Sequence, residues 1–200
     1  MKQIGITGGI GSGKTTVCQI FEMYGIPVYY ADIEAKLLMR ADPMLKNKIE
    51  ELVGEEAYYP DGELNTQYIG KKIFTNKALL DSMNRIVHPA VHIHAEQWAQ
   101  KMNKACQPLY ILREAALLVE NGSYKALDAL IVVTCPDELR INRVIKRDKL
   151  SREEVIKRIN NQMPEIEKVK VADFVIINDE RHALIPQIWR IHQTLTTTNI

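Results

Sequence analysis

The run ITGGIGSGKTT at residues 6–16 constrains this chain more than any other. Gly8-x-x-x-x-Gly13-Lys14-Thr15 is the complete pattern of a phosphate-binding loop, and such a loop needs a buried strand before it and a helix after it. Both neighbours are legible. Ile4 to Thr7 reads as a short buried strand. Beyond Lys14, the residues Val17, Ile20, Phe21 and Tyr24 recur at helical spacing, and Gly25 is a helix stop. In such a loop glycines let the backbone fold tightly, so that several N–H groups point at phosphate oxygens. The helix adds the positive end of its dipole. Gly9, Gly11, Ser12, Gly13, Lys14, Thr15 and Thr16 are therefore candidate nucleotide-binding residues. Lys14 is expected to reach the β- and γ-phosphates, and Thr15 to offer its hydroxyl to Mg²⁺. The plainer reading is a glycine-rich turn that only joins strand to helix. The agreement of all the fixed positions with both flanking elements argues against it.

Further short apolar runs at Pro27–Tyr30, Leu109–Leu112, Ala129–Thr134 and Phe174–Ile177 alternate with helical stretches. That alternation predicts a mostly parallel five-stranded sheet with helices on both faces. Two segments stand outside it. Residues 40–91 hold no clear strand and look helical around the turn YYPDGELN, which predicts an inserted helical unit. Residues 137–168 are helical and densely charged, with Pro136 able to open one helix and SREE at 151–154 reading as the capping box of a second. The remaining segments, 1–39, 92–136 and 169–200, form the expected nucleotide-binding core of a single domain.

The charged segment carries a pattern. Arg140, Arg143 and Arg147 fall at i, i+3 and i+7, while Ile141, Val144 and Ile145 fall on a different face. A fixed row of guanidinium groups suits phosphate oxygens, so the segment reads as a lid over ATP, with Arg140 placed to act in catalysis and the other two to bind nucleotide. It reads equally as a solvated helix face partly neutralised by Asp137, Glu138 and Asp148. A lid has a rationale, because water competes with any acceptor alcohol. An alcohol acceptor also benefits from a carboxylate. Asp32 follows the second strand at its carboxyl end, where open α/β sheets bind their ligands. Asp32 equally suits a helix N-cap.

Composition narrows the class. Of 200 residues 46% are apolar and 26% charged, with a net charge of +1, which speaks against a dedicated nucleic-acid binder. Three scattered cysteines suggest neither a disulfide framework nor a zinc site. The chain runs straight from its start into the glycine loop, and its apolar runs are of strand length, so a soluble, cytoplasmic protein away from membranes is expected. A GTPase would carry N-K-x-D, but TNKALL has Leu79 where Asp belongs. Lys-Thr loop, helical insertion and arginine-rich segment together point to a kinase of a small molecule. A nucleoside monophosphate or another alcohol as acceptor, or a nucleotide-gated binding protein, are the rival readings.

With these residues in view, the chain resembles the dephospho-coenzyme A kinases along essentially its whole length. The resemblance rests on IGITGGIGSGKTT at 4–16, YAD at 30–32, DGELN at 61–65, IVHPAV at 86–91, ALLVENG at 116–122, RVIKRD at 143–148, RINNQM at 158–163 and ADFVIIND at 172–179. It implies the P-loop NTPase three-layer fold with a helical insertion and a lid. It implies ATP and Mg²⁺ as cofactors, and transfer of phosphate to the ribose 3′-hydroxyl of dephospho-coenzyme A. Asp32 matches the family's proposed base, and Arg140, Arg143 and Arg147 its lid. His88 matches the substrate side through the H-P pair. After the third strand, Arg113 or Glu114 is placed to face the site, or the two form an ordinary ion pair at a helix start, and Leu117 with Leu118 is a core or substrate-packing residue; Arg113 and Leu117 are taken as further substrate-side candidates. A monomer or weak homo-oligomer is expected. The chain departs from the family pattern at Tyr30 (Asp), Thr66 (Arg), Ala116 (Pro) and Glu180 (Gly), and Lys71 or Lys72 is a candidate to replace the missing arginine.

Overall fold

The structure is a computed structural model that describes residues 1–74 and 76–197, Phe74 by its backbone alone. The chain runs β1 (Lys2–Thr7), α1 (Lys14–Met23), β2 (Val28–Tyr30), α2 (Ala31–Ala41), α3 (Pro43–Val53), α4 (Thr66–Phe74), α5 (Lys77–Ala105) and β3 (Tyr110–Glu114). It continues through β4 (Ala129–Thr134), α6 (Asp137–Asp148), α7 (Arg152–Asn160), α8 (Glu165–Val169), β5 (Phe174–Ile177) and α9 (Leu184–Thr197). All five expected strands form, in the order β2-β3-β1-β4-β5, and every pairing is parallel. The chain leaves central β1 for one side of the sheet and later returns to the other. The carboxyl end of β1 is thus the switch point where such sheets take ligands.

Alternation along the strands builds two layers. Ile4 and Ile6 of β1, Ile131 and Val133 of β4 and Ile176 of β5 pack against Val17, Cys18 and Phe21 of α1 and Ile188, Ile191 and Leu195 of α9. Leu130 and Val132 point the other way, onto Leu118, Val119, Met163 and Val169. Gly5 leaves a gap on that second face, which the side chains of Leu118, Leu127 and Leu130 fill. At the far end of the first layer, Tyr24 stacks on His192 with ring centroids 5.4 Å apart, Trp189 lies 5.4 Å from Tyr24, and the Tyr110 hydroxyl is 2.7 Å from His192 Nδ1.

The chain divides into two compact units, Met1–Tyr30 with Met102–Ile200, and Ala31–Lys101. The helical unit is thus wider than the expected 40–91. Ala35, Leu38 and Met39 of α2 pack on its core, and α5, 29 residues long, runs unbroken across residue 91. That core gathers Leu45, Ile49 and Val53 of α3, Ile69 of α4, and Met83 and Val87 of α5. Asp42 caps α3 by accepting from the N–H groups of Met44 (2.9 Å) and Leu45 (3.2 Å). The DGELN turn is closed by a bridge between Tyr58 and Leu64, and Tyr58 ties it to α2 through the Met39 carbonyl at 2.7 Å. Among the described residues no helix is long and apolar enough to cross a membrane.

One charge pair lies deep in the sheet unit. Lys168 is fully buried, with Nζ 2.6 Å from Glu120 Oε1 and 3.4 Å from the Ala116 carbonyl. Removing one partner strands the other charge. Lys168→Met is therefore expected to lower unfolding stability by about 3 kcal/mol, and Lys168→Met with Glu120→Leu to recover most of it. Urea titrations of the single and double variants check this. A single variant as stable as the parent would show that the pair is not structural.

Candidate active site

The loop from Gly8 to Gly13 joins β1 to α1. Gly13 sits at φ +91°, and a Cβ there would collide with the side-chain amide of Asn178. That amide, from just past β5, donates to the Ser12 carbonyl at 2.8 Å. Ser12 N–H closes the loop on the Gly9 carbonyl at 3.1 Å. Among the described residues no side chain caps α1, and its first helical bond runs from Val17 N–H to the Gly13 carbonyl. The amides of the first turn are therefore left with the positive end of the dipole, an arrangement suited to an anion. Lys14 folds its ammonium back onto the carbonyls of Gly8 (2.9 Å) and Gly9 (3.4 Å). Thr15 and Thr16 are exposed, while Ser12 is buried and its hydroxyl has no hydrogen-bond partner among the described residues.

Helix α6 brings two of the three stripe arginines to this region. Arg140 is 4% exposed and its guanidinium lies against Gly9, where any side chain would collide with it. Its Nε donates to the Ile10 carbonyl at 3.0 Å and it pairs with Asp137 at 2.9 Å. Arg143 donates to the backbone and side-chain oxygens of Asn178, both at 3.4 Å, and to Glu180 at 3.1 Å. It also lies 3.2 Å from the Cys135 sulfur, whose thiol burial pushes up. Arg147 is spent on its own neighbour Asp148, at 2.7 and 3.0 Å, and holds that carboxyl below the usual range. Seven residues of helix advance about 10 Å, so one stripe does not put all three arginines at one point. Beside Arg140 a cavity of about 610 Å³ is lined by Cys135, Asp137, Arg140, Gln162, Met163 and Glu165.

The other candidates are placed separately. Asp32 is exposed in the first turn of α2, which already begins at Ala31, so Asp32 is not its N-cap. His88 is exposed on α5 beside Pro89. Leu117 is exposed in the turn after β3, while Leu118 and Val119 turn inward. Arg113 donates to the Gln3 side chain at 3.2 Å, back along β1, whereas Glu114 is the residue buried at the strand end. Lys72 donates to the Val53 carbonyl at 2.9 Å within the helical unit. Tyr30 hydrogen-bonds Glu22, and burial pushes its hydroxyl above the usual range. Glu180, where glycine was expected, keeps the left-handed backbone at φ +66° and turns its carboxylate to Arg143. Among the described residues no group of three or more His, Cys, Asp or Glu is placed to hold a metal ion. Two residues at the loop were given no role from sequence, Asn178 and Gln162, whose Oε1 accepts from Ile10 N–H at 2.8 Å. Both lie inside motifs, ADFVIIND and RINNQM, but nothing local says which backbone group of the loop they meet.

Comparison with known proteins shows the family. The dephospho-CoA kinase family model matches residues 2–183. A dephospho-CoA kinase of Bacteroides fragilis is 41% identical over 186 residues, 93% of this chain and 89% of that protein. Among solved structures, TT1252 from Thermus thermophilus superposes with a TM-score of 0.84 at 30% identity, covering 98% of both chains. The dephospho-CoA kinase from Campylobacter jejuni gives 0.72 at 26% identity, over 99% of this chain and 98% of that one. The phosphate loop, the parallel sheet around it and the match along nearly the whole chain lead to one conclusion: this chain belongs to the dephospho-CoA kinase family.

Proposed function

We propose that this chain transfers the terminal phosphoryl group of ATP to the ribose 3′-hydroxyl of dephospho-coenzyme A, giving ADP and coenzyme A, with the residues below in the stated roles. The reaction is that of its family, the last step of coenzyme A biosynthesis. The observation that carries the reading is the uncapped phosphate loop at the carboxyl end of β1, with the buried Arg140 guanidinium laid against Gly9.

The amides of Gly9, Gly11, Gly13, Thr15 and Thr16 and the Lys14 ammonium bind the phosphate chain, Ser12 shapes the loop, and Lys14 swings from the Gly8 and Gly9 carbonyls to the β- and γ-phosphates. Arg140 acts on the phosphoryl group in flight, where charge is spread over its oxygens, and Arg143 serves the nucleotide from the β5 side. Arg147, paired with Asp148, supports the lid from farther out. Asp32 orients the acceptor hydroxyl and takes its proton. His88 and Leu117 contribute to substrate binding. The exposed Thr15 hydroxyl is a hard oxygen donor of the kind Mg²⁺ prefers, and Thr15 would hold that ion. When bound, Mg²⁺ neutralises charge on the β- and γ-phosphates.

ADP release from Mg-ATP is expected to rise strongly with dephospho-coenzyme A and not with AMP, adenosine or shikimate, the product being checked by mass. Stimulation by another acceptor alone would overturn the assignment. Lys14→Ala should lose on the order of 10²- to 10³-fold in turnover, the scale of one preorganised electrostatic donor, and a near-normal rate would remove Lys14 from the mechanism. Asp32→Asn should lower kcat while ATP affinity, measured by calorimetry, stays near the parent value. Unchanged kcat would end the role of Asp32 as base.

A further inference from the structure

Ile10, at the tip of the phosphate loop, is held by three attachments to elements more than a hundred residues away. Its N–H donates to Gln162 Oε1 at 2.8 Å. Its carbonyl accepts from Arg140 Nε at 3.0 Å. Its side chain packs on the lid's own apolar cluster of Ile141, Val144 and Val155. The neighbouring Gly11 adds close backbone contact, since a Cβ there would meet the Arg140 carbonyl at 2.6 Å and Val144 at 2.9 Å. A lid that swung freely over the loop would break both hydrogen bonds and expose Ile10. From these contacts we infer that Gln162 is a positioning residue that latches the lid to the tip of the phosphate loop.

Gln162 is itself aimed from both sides. It directly follows Asn161, the C-cap of α7, and its own N–H donates to the Ile159 carbonyl at 3.0 Å. The next residue, Met163, donates its N–H to Glu120 at 3.4 Å. The side chain thus bridges from a fixed turn to the Ile10 N–H at the loop tip. Phosphate bound to the loop amides fixes residues 9–13, the latch carries that order to α6 and α7, and Arg140 stays over Gly9 where a terminal phosphate would lie. Loop and lid then order together, and Gln162 touches neither substrate nor reacting atoms.

The inference rests on the loop being the ATP phosphate site, and the test separates the two. Full-length Gln162→Leu removes the acceptor, Gln162→Asn withdraws it, and Gln162→Glu keeps it. Hydrogen exchange of the peptide spanning residues 8–12, without nucleotide, is the readout that activity does not enter. Gln162→Leu is expected to speed exchange at Ile10 about tenfold, Gln162→Asn to do so to a lesser degree, and Gln162→Glu to retain protection. In assays, Gln162→Leu should raise the KM for ATP about tenfold with a smaller fall in kcat and an unchanged KM for dephospho-coenzyme A, and Gln162→Glu should restore it. Unchanged exchange at Ile10 in Gln162→Leu, or a Gln162→Glu variant as impaired as Gln162→Leu, would overturn the latch. Should Gln162→Leu fail to fold, the graded pair Gln162→Asn and Gln162→Glu decides by the same measures. Altered exchange together with unaltered ATP affinity in Lys14→Ala would keep the latch and remove the ATP assignment.

Discussion

The backbone turn between β1 and α1 offers inward N–H groups and almost no side chains. That scarcity lets distant elements approach it. The Arg140 guanidinium needs the bare Gly9, the Asn178 amide needs the bare Gly13, and the backbone of α6 needs the bare Gly11. Any Cβ at these positions would push away a partner that defines the site. The parallel order of the strands serves the same end, because it puts the carboxyl ends of β3, β1, β4 and β5 side by side. The loop then meets material from β5 through Asn178 and from the lid through Arg140.

The arginines differ in how firmly they are held, and the difference matches the roles proposed for them. Pairs such as Arg147 with Asp148, or Arg143 with Glu180, are partly solvated and are worth about 0–1 kcal/mol each. A triphosphate can take Arg143 from Glu180 at little cost. Arg140 is almost wholly buried, and its Nε bond to a loop carbonyl involves the same residue that Gln162 grips. It is a fixed charge, which suits stabilisation of a transferring group, since no reorganisation is needed at the moment of reaction. Glu180 shows how a departure from the family pattern is absorbed. A left-handed backbone at a residue other than glycine costs roughly 1–2 kcal/mol, and the carboxylate gains a partner only in part compensation.

Much of this fold was legible because the signals are local. Each of the five strands is built on a short apolar run, and Ser151 with Glu154 makes both halves of the capping box read from SREE. The phosphate loop was legible for the same reason. The unit boundary was not, because it depends on which face of α2 is covered, and Leu38 and Met39 turn to the helical core. Nor were the partners of the arginines. Arg140 and Ile10 lie 130 residues apart, and Gln162 and Ile10 152, so no periodicity links them. The partner of Arg113 was not legible either. Adjacent residues of a strand face opposite ways, so the neighbour of the buried Glu114 is the one directed to Gln3.

The division into two compact units also divides the chain's two tryptophans. Trp98 lies in α5 of the helical unit, and Trp189 lies in α9 of the sheet unit, against Tyr24 and His192. Each unit therefore carries its own indole emitter in a different setting. Their fluorescence distinguishes a molecule that melts in one cooperative step from one in which helical and sheet halves lose their cores at separate temperatures.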